Sequence, residues 1–257
     1  MSILADPMLN TPDHILVVII AVVWPLYVAF FRFPRLRRAV AAGLPSARVR
    51  AYIETMLTQW SLAAIALMVW LRAARPTSDL GFSMLGGWQL WLGIALVVLA
   101  LVILGVQARQ VARDPELQNT LRHKLKVGGP ILPTTPRELF LFHLIAVTAG
   151  ICEELLYRGF LIWYLTQLFG LPGAVVGSSA LFGLAHTYQG GRGIVQTGTV
   201  GLVFALVFVV TRTLWVPMLL HTLVDVNSGL LWYRFVLPGR AHTPAAAEPR
   251  DDTSREG

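Results

Sequence analysis

Four stretches of this chain, residues 15–31, 55–71, 80–108 and 193–211, contain no Asp, Glu, Lys, Arg or His. Each approaches or exceeds the roughly 20 apolar residues needed to cross a hydrocarbon core of about 30 Å. The fold class that follows is all-α, a polytopic transmembrane helix bundle. Composition agrees, with 55% hydrophobic and 14% charged residues against about a quarter charged in ordinary soluble domains. A single cysteine and the absence of a low-complexity repeat exclude disulfide-stapled, collagen-like and disordered classes.

The net charge of +7 arises from 21 basic and 14 acidic residues. The basic residues cluster where apolar segments end: Arg32, Arg35, Arg37, Arg38, Arg48 and Arg50, then Arg109, Arg113, Arg122, Lys124, Lys126 and Arg137. Such clustering is the positive-inside pattern. It makes the lipid bilayer, and anionic headgroups in particular, the partner rather than nucleic acid. The loops 32–50 and 108–137 then face the cytoplasm and the N-terminus lies outside, with Arg72 and Arg75 in mild conflict. No Lys or Arg precedes residue 32, so the first apolar segment reads as a retained anchor, since a cleaved signal peptide needs a basic n-region. The Arg- and Ala-rich composition points to a bacterial plasma membrane.

Spans are expected near 14–32, kinked at Trp24-Pro25, then at 53–71, 87–107, from 137 onward, 174–189, 193–211 and 214–234. Residues 159–171 either prolong the fourth helix or form a separate piece, which gives seven spans and a candidate eighth. The chain divides into a three-helix part (1–107), a polar loop (108–136), a second transmembrane part (137–236) and a polar tail expected to be disordered (237–257).

The second part carries ionisable residues inside apolar helices. Glu153, Glu154, Arg158 and Asp225 would together cost on the order of 10 kcal/mol if each faced lipid near mid-depth. They must therefore face one another or a watery cavity, and such residues mark functional sites by default. Glu154 and Arg158 are four apart and can pair on one helix face, whereas Glu153 lies about 100° around the helix from Glu154. His221 and Asp225 share the four-residue spacing, as do Phe182 and His186. Gly198, Gly201 and Ala205 supply small residues that let helices approach closely. A carboxylate beside two imidazoles can activate water, hold a divalent metal or relay protons. The zinc-protease strings HExxH and HxxEH are absent, and no Ser or Cys stands in a nucleophile motif; Cys152 reads as packing.

Glu153–Arg158 reads EExxxR, Phe182–His186 reads FxxxH and His221–Asp225 reads HxxxD, in this order on successive apolar helices. The chain here resembles the CPBP family, the CAAX prenyl-protein endopeptidases and their Abi-type and bacteriocin-immunity relatives, over about residues 137–234. The resemblance implies an intramembrane endopeptidase acting on a membrane-associated or lipid-modified protein or peptide. It implies Glu153 as general base, with His186 helping to hold the attacking water. His221 and Asp225 would stabilise the oxyanion, and Glu154 and Arg158 would form a supporting pair. The endopeptidases proper carry Asn where this chain has Asp225, and an ionised Asp cannot donate a hydrogen bond. Asp225 would have to be protonated, to orient His221, or to ligate a metal. No cofactor is required on these residues; zinc held by Glu153, His186, His221 and Asp225 is the alternative. A non-enzymatic scaffold or immunity partner, or a proton-coupled transporter, would also use buried Glu and His. Away from the strings, His143 reads as a hydrogen-bonded polar residue, Arg192 as a loop charge, and Glu54, Arg212 and Arg234 as span-end residues that snorkel.

Overall fold

The computed structural model describes residues 9–84, 86–124 and 129–237. Lys126 and the tail from residue 238 lie outside them. Among the described residues all regular structure is helical, as the apolar runs require.

Helix α1 runs over Thr11–Ala41, capped by Asn10, whose side chain accepts from the Asp13 amide while Asp13 reaches back to the Asn10 amide. Proline inside a helix removes an amide donor and crowds the carbonyl four residues back. Here a wider, π-type turn precedes each of the two prolines: the Trp24 amide reaches Ile19 five residues back, and the Phe33 amide reaches Val28. The backbone stays right-handed helical through both turns. At the expected kink site, Trp24-Pro25, the helix carries this wide turn, and it continues past residue 32 to carry Arg35, Arg37 and Arg38 on its last turns.

Helix α2 is Ala47–Arg72 and α3 is Gly87–Arg113. The expected polar loop at 108–136 is largely helical up to Lys124. Its first residues belong to α3, and α4 spans Pro115–Lys124. The local cause is Asp114, whose carboxylate accepts from the Leu117 amide, with Pro115 at the first helical position, where its missing amide costs nothing.

Helix α5 begins at Pro136, capped by the Thr135 hydroxyl on the Glu138 amide. It passes through a wide turn at Leu155–Leu161 and runs on to residue 169. Residues 159–169 therefore prolong the fourth span, and no separate eighth piece forms. Gly170 interrupts the helix with φ 68° and ψ 170°, and residues 171–185 form α6. A short turn at Thr187–Gln189 leads to α7, Gly191–Thr211, and α8 covers Trp215–Leu231 with a wide turn at Trp232–Val236. Among the described residues, five helical stretches are long and apolar enough to cross a membrane: Thr11–Ala41, Ala47–Arg72, Gly87–Arg113, Pro136–Ala185 and Gly191–Thr211. Division of the fourth at Gly170, with the shorter α8, accounts for the seven expected segments.

Helix α5 is the centre of the bundle. All seven residues of Leu155–Leu161 are buried, the all-round burial of a core helix. It packs against α2 and α8, and α6 packs against α7. Glycines set these approaches. A Cβ on Gly150 would lie 2.8 Å from the Met218 carbonyl oxygen, and one on Gly183 would lie 3.1 Å from the Gly198 Cα. On the outside, Ile15, Val22, Phe30, Leu57, Trp91 and Val102 are among many exposed large apolar residues. A water-soluble surface would not keep such a belt. The chain is an integral membrane protein.

Arg75, in conflict with the charge pattern, is neutralised. Its guanidinium makes two hydrogen bonds to the fully buried Asp13 carboxylate, at 2.8 and 2.6 Å, and lies 4.2 Å from the Trp163 ring centroid. Next to Asp13, His14 meets the Tyr164 hydroxyl at 2.7 Å. This cluster ties the start of α1 to α5 and to the turn after α2. Arg75→Ala strands the Asp13 carboxylate, and the expected cost is about 3–5 kcal/mol of stability. Thermal unfolding in detergent checks this.

Candidate active site

The burial of Leu155–Leu161 forces the polar groups just before and within that turn to find partners inside the protein. Glu154 is fully buried. Its Oε1 accepts from Arg158 Nη1 at 2.8 Å and meets His221 Nδ1 at 2.7 Å. A carboxylate only accepts, so Nδ1 of His221 carries the proton in that bond. His221 Nε2 faces Asp225 Oδ2 at 3.5 Å. The four-residue spacings expected to pair on one face do pair, and Glu154 joins them across two helices.

Arg158 draws in the other elements. Its Nη2 donates to the Gly201 carbonyl at 3.1 Å, and its guanidinium lies 4.3 Å from the Phe182 ring centroid. Gly201 has to be small: a Cβ there would stand 2.9 Å from Phe182 and 3.2 Å from Arg158 Nη2. The expected close approach of the small-residue helix α7 thus serves the ion pair directly. Phe182 in turn packs on His221 and His186, with ring centroids 6.0 and 4.9 Å apart.

His186 sits just beyond the end of α6, with φ −103° and ψ 22°. Its Nδ1 is 2.9 Å from the Phe182 carbonyl. A carbonyl likewise only accepts, so Nδ1 carries the hydrogen and the neutral ring offers Nε2 as an acceptor. The Tyr188 ring lies 5.7 Å from His186 and 5.1 Å from Phe33 of α1.

Glu153 points elsewhere, as its position around the helix requires. Its Oε1 accepts from Gln59 Nε2 on α2 at 2.6 Å. It lies within Coulombic range of His186, His221 and Asp225. Glu153, Glu154, Arg158, His186, His221 and Asp225 are therefore gathered into one region. Gln59 escapes a search for ionisable residues because it is uncharged. Its signal is a long polar amide within the apolar run 55–71, on the buried α2 face that also carries Tyr52, Ala63, Ala66 and Trp70.

A metal would need several of these donors to converge on one point. Among the described residues no three His, Cys, Asp or Glu side chains are so arranged. Glu154 and both nitrogens of His221 face one another and Asp225. As these side chains stand, they do not form a ligand set. His143 departs from expectation: its Nε2 is buried without a hydrogen-bond partner among the described residues. Its span position, among the apolar residues Leu139–Ile145, brings no acceptor to it.

No curated protein and no solved structure matches the chain. Residues 135–227, about a third of it, match a family model described as type II CAAX prenyl endopeptidase Rce1-like. The matched region begins at the cap of α5 and ends two residues past Asp225, so it contains all three strings and the helices that bring them together. Over this region the chain is similar to the type II CAAX prenyl endopeptidases of the Rce1-like kind.

Proposed function

We propose that the chain is an intramembrane endopeptidase that hydrolyses a peptide bond of a membrane-associated or lipid-modified protein or peptide, with water activated by Glu153. The observation that carries this reading is the joining of three separate strings, on α5, α6 and α8, around one buried cluster centred on Glu154 and Arg158. Assembly alone would be served at lower desolvation cost by neutral amides or hydroxyls.

Each group has a task that fits its geometry. Gln59 occupies Oε1 of Glu153, which leaves Oε2 to take a proton from water. His186 Nε2 accepts the second water hydrogen and orients the oxygen. The water oxygen bonds to the scissile carbonyl carbon as the carbonyl π pair moves onto its oxygen. In its doubly protonated form, His221 turns its Nε2–H toward that oxyanion; Asp225, at 3.5 Å, holds the ring at this edge and need not donate. Collapse of the tetrahedral intermediate breaks the C–N bond, and Glu153 returns its proton to the leaving amine. Glu154 and Arg158 fix the second edge of His221 and act through it.

The test is rescue. A null strain supplied with the Glu153→Gln/His186→Ala double variant is expected to keep the null phenotype, although the variant inserts and accumulates as wild type. Full rescue by that variant would show that the protein acts by binding.

A further inference from the structure

The region that matches the family model begins at residue 135, yet among the described residues the hydrogen bond to Glu153 comes from residue 59, on α2. Gln59 is 8% exposed, and its Oε1 is buried with no hydrogen-bond partner among the described residues. A carboxylate accepts and cannot donate, so the amide has to present Nε2 to Glu153 and turn its oxygen into the packed interior. An unpaired buried acceptor is unfavourable. Packing between α2 and α5 would be better served by an apolar side chain, as at Ala63, Ala66 and Trp70 on the same face. What Gln59 gains for this cost is a short, charge-assisted bond of 2.6 Å to one oxygen of Glu153.

We propose that Gln59 is a positioning residue for the Glu153 carboxylate: its amide N–H holds Oε1, so that Oε2 is the oxygen presented to the attacking water. The first three helices are then part of the catalytic apparatus rather than a generic anchor, because α2 sets the rotamer of the base on α5. This rests on the reading of Glu153 as general base.

The experiment uses the full-length protein in detergent or vesicles, with the substrate the wild type cleaves, and compares Gln59→Met, Glu153→Asp, their combination and Glu153→Gln. Gln59→Met is expected to lower kcat by about tenfold to a hundredfold, the scale of a misplaced reacting group, with KM within about threefold. In the Glu153→Asp background the same substitution is expected to change kcat by less than about threefold, since the shorter carboxylate no longer reaches the amide. Should Gln59→Met fail to fold, Gln59→Asn keeps an amide and withdraws it by one methylene, and the same kcat loss is expected. An equal loss in both backgrounds would overturn the proposal, as would wild-type kcat in a folded Gln59→Met protein while Glu153→Gln is inactive. Activity in Glu153→Gln would instead overturn the general-base reading, and this inference with it.

Discussion

Purified protein carrying Glu153→Gln is expected to cleave at a rate about 10²–10⁴-fold below wild type, the range attributed to a positioned general base, with KM little changed. The isosteric amide preserves shape, and it can still meet Gln59 because an amide both donates and accepts. It cannot take a proton from water at neutral pH. Glu154→Gln is expected to act differently, since Glu154 is fully buried on Arg158 and His221. Neutralising it leaves the Arg158 charge without its partner, so the protein should lose stability together with activity. A comparison of rate and melting temperature for the two variants separates a group that reacts from a group that supports.

The second large effect is expected at Arg158. It is 1% exposed and bonds Glu154 on α5 and Gly201 on α7 while stacking on Phe182 of α6. Arg158→Met removes the counter-charge of a carboxylate whose Oε2 already lacks a partner among the described residues. Breaking a buried pair on one side costs about 3–5 kcal/mol, a large part of the stability of most domains. The companion is Glu154→Leu with Arg158→Met, in which no charge is stranded. The double variant is expected to be more stable than Arg158→Met alone, because an apolar replacement of a whole buried pair is often neutral or better. It should remain inactive, since His221 loses the acceptor at Nδ1. Thermal unfolding of the three proteins reads the first expectation and substrate cleavage the second.

What could be read from the sequence was whatever the membrane makes costly. Glu153, Glu154, Arg158, His186, His221 and Asp225 stand out because ionisable groups among apolar residues need a reason, and their four-residue spacings dictate which share a face. Those same pairs are in contact. Less legible was how they divide between helices. That His221 closes on Glu154 rather than Glu153 depends on the docking of α8 against α5, which Gly150 permits by leaving no side chain in front of Met218 and Thr222. Gln59 was invisible for another reason: it carries no charge, and its partner is 94 residues away.

Helix ends followed the same division. The apolar runs located the spans, but hydropathy does not register that an arginine-bearing turn can continue a helix, as α1 and α3 do to Ala41 and Arg113. Nor does it weigh Asp114-Pro115 as a helix start, although those two residues carry the capping signal for α4. The proline at position 25 marks a local break in the helix ladder, but hydropathy does not show the wide turn that stands before it.

The most direct measurement is a comparison of protein termini in membranes of a null strain supplied with wild-type or Glu153→Gln protein at equal abundance. Hydrolysis at this site predicts new termini in membrane-associated proteins or peptides in the first sample and their loss in the second. Identical sets of termini in the two, with both proteins inserted, would contradict it.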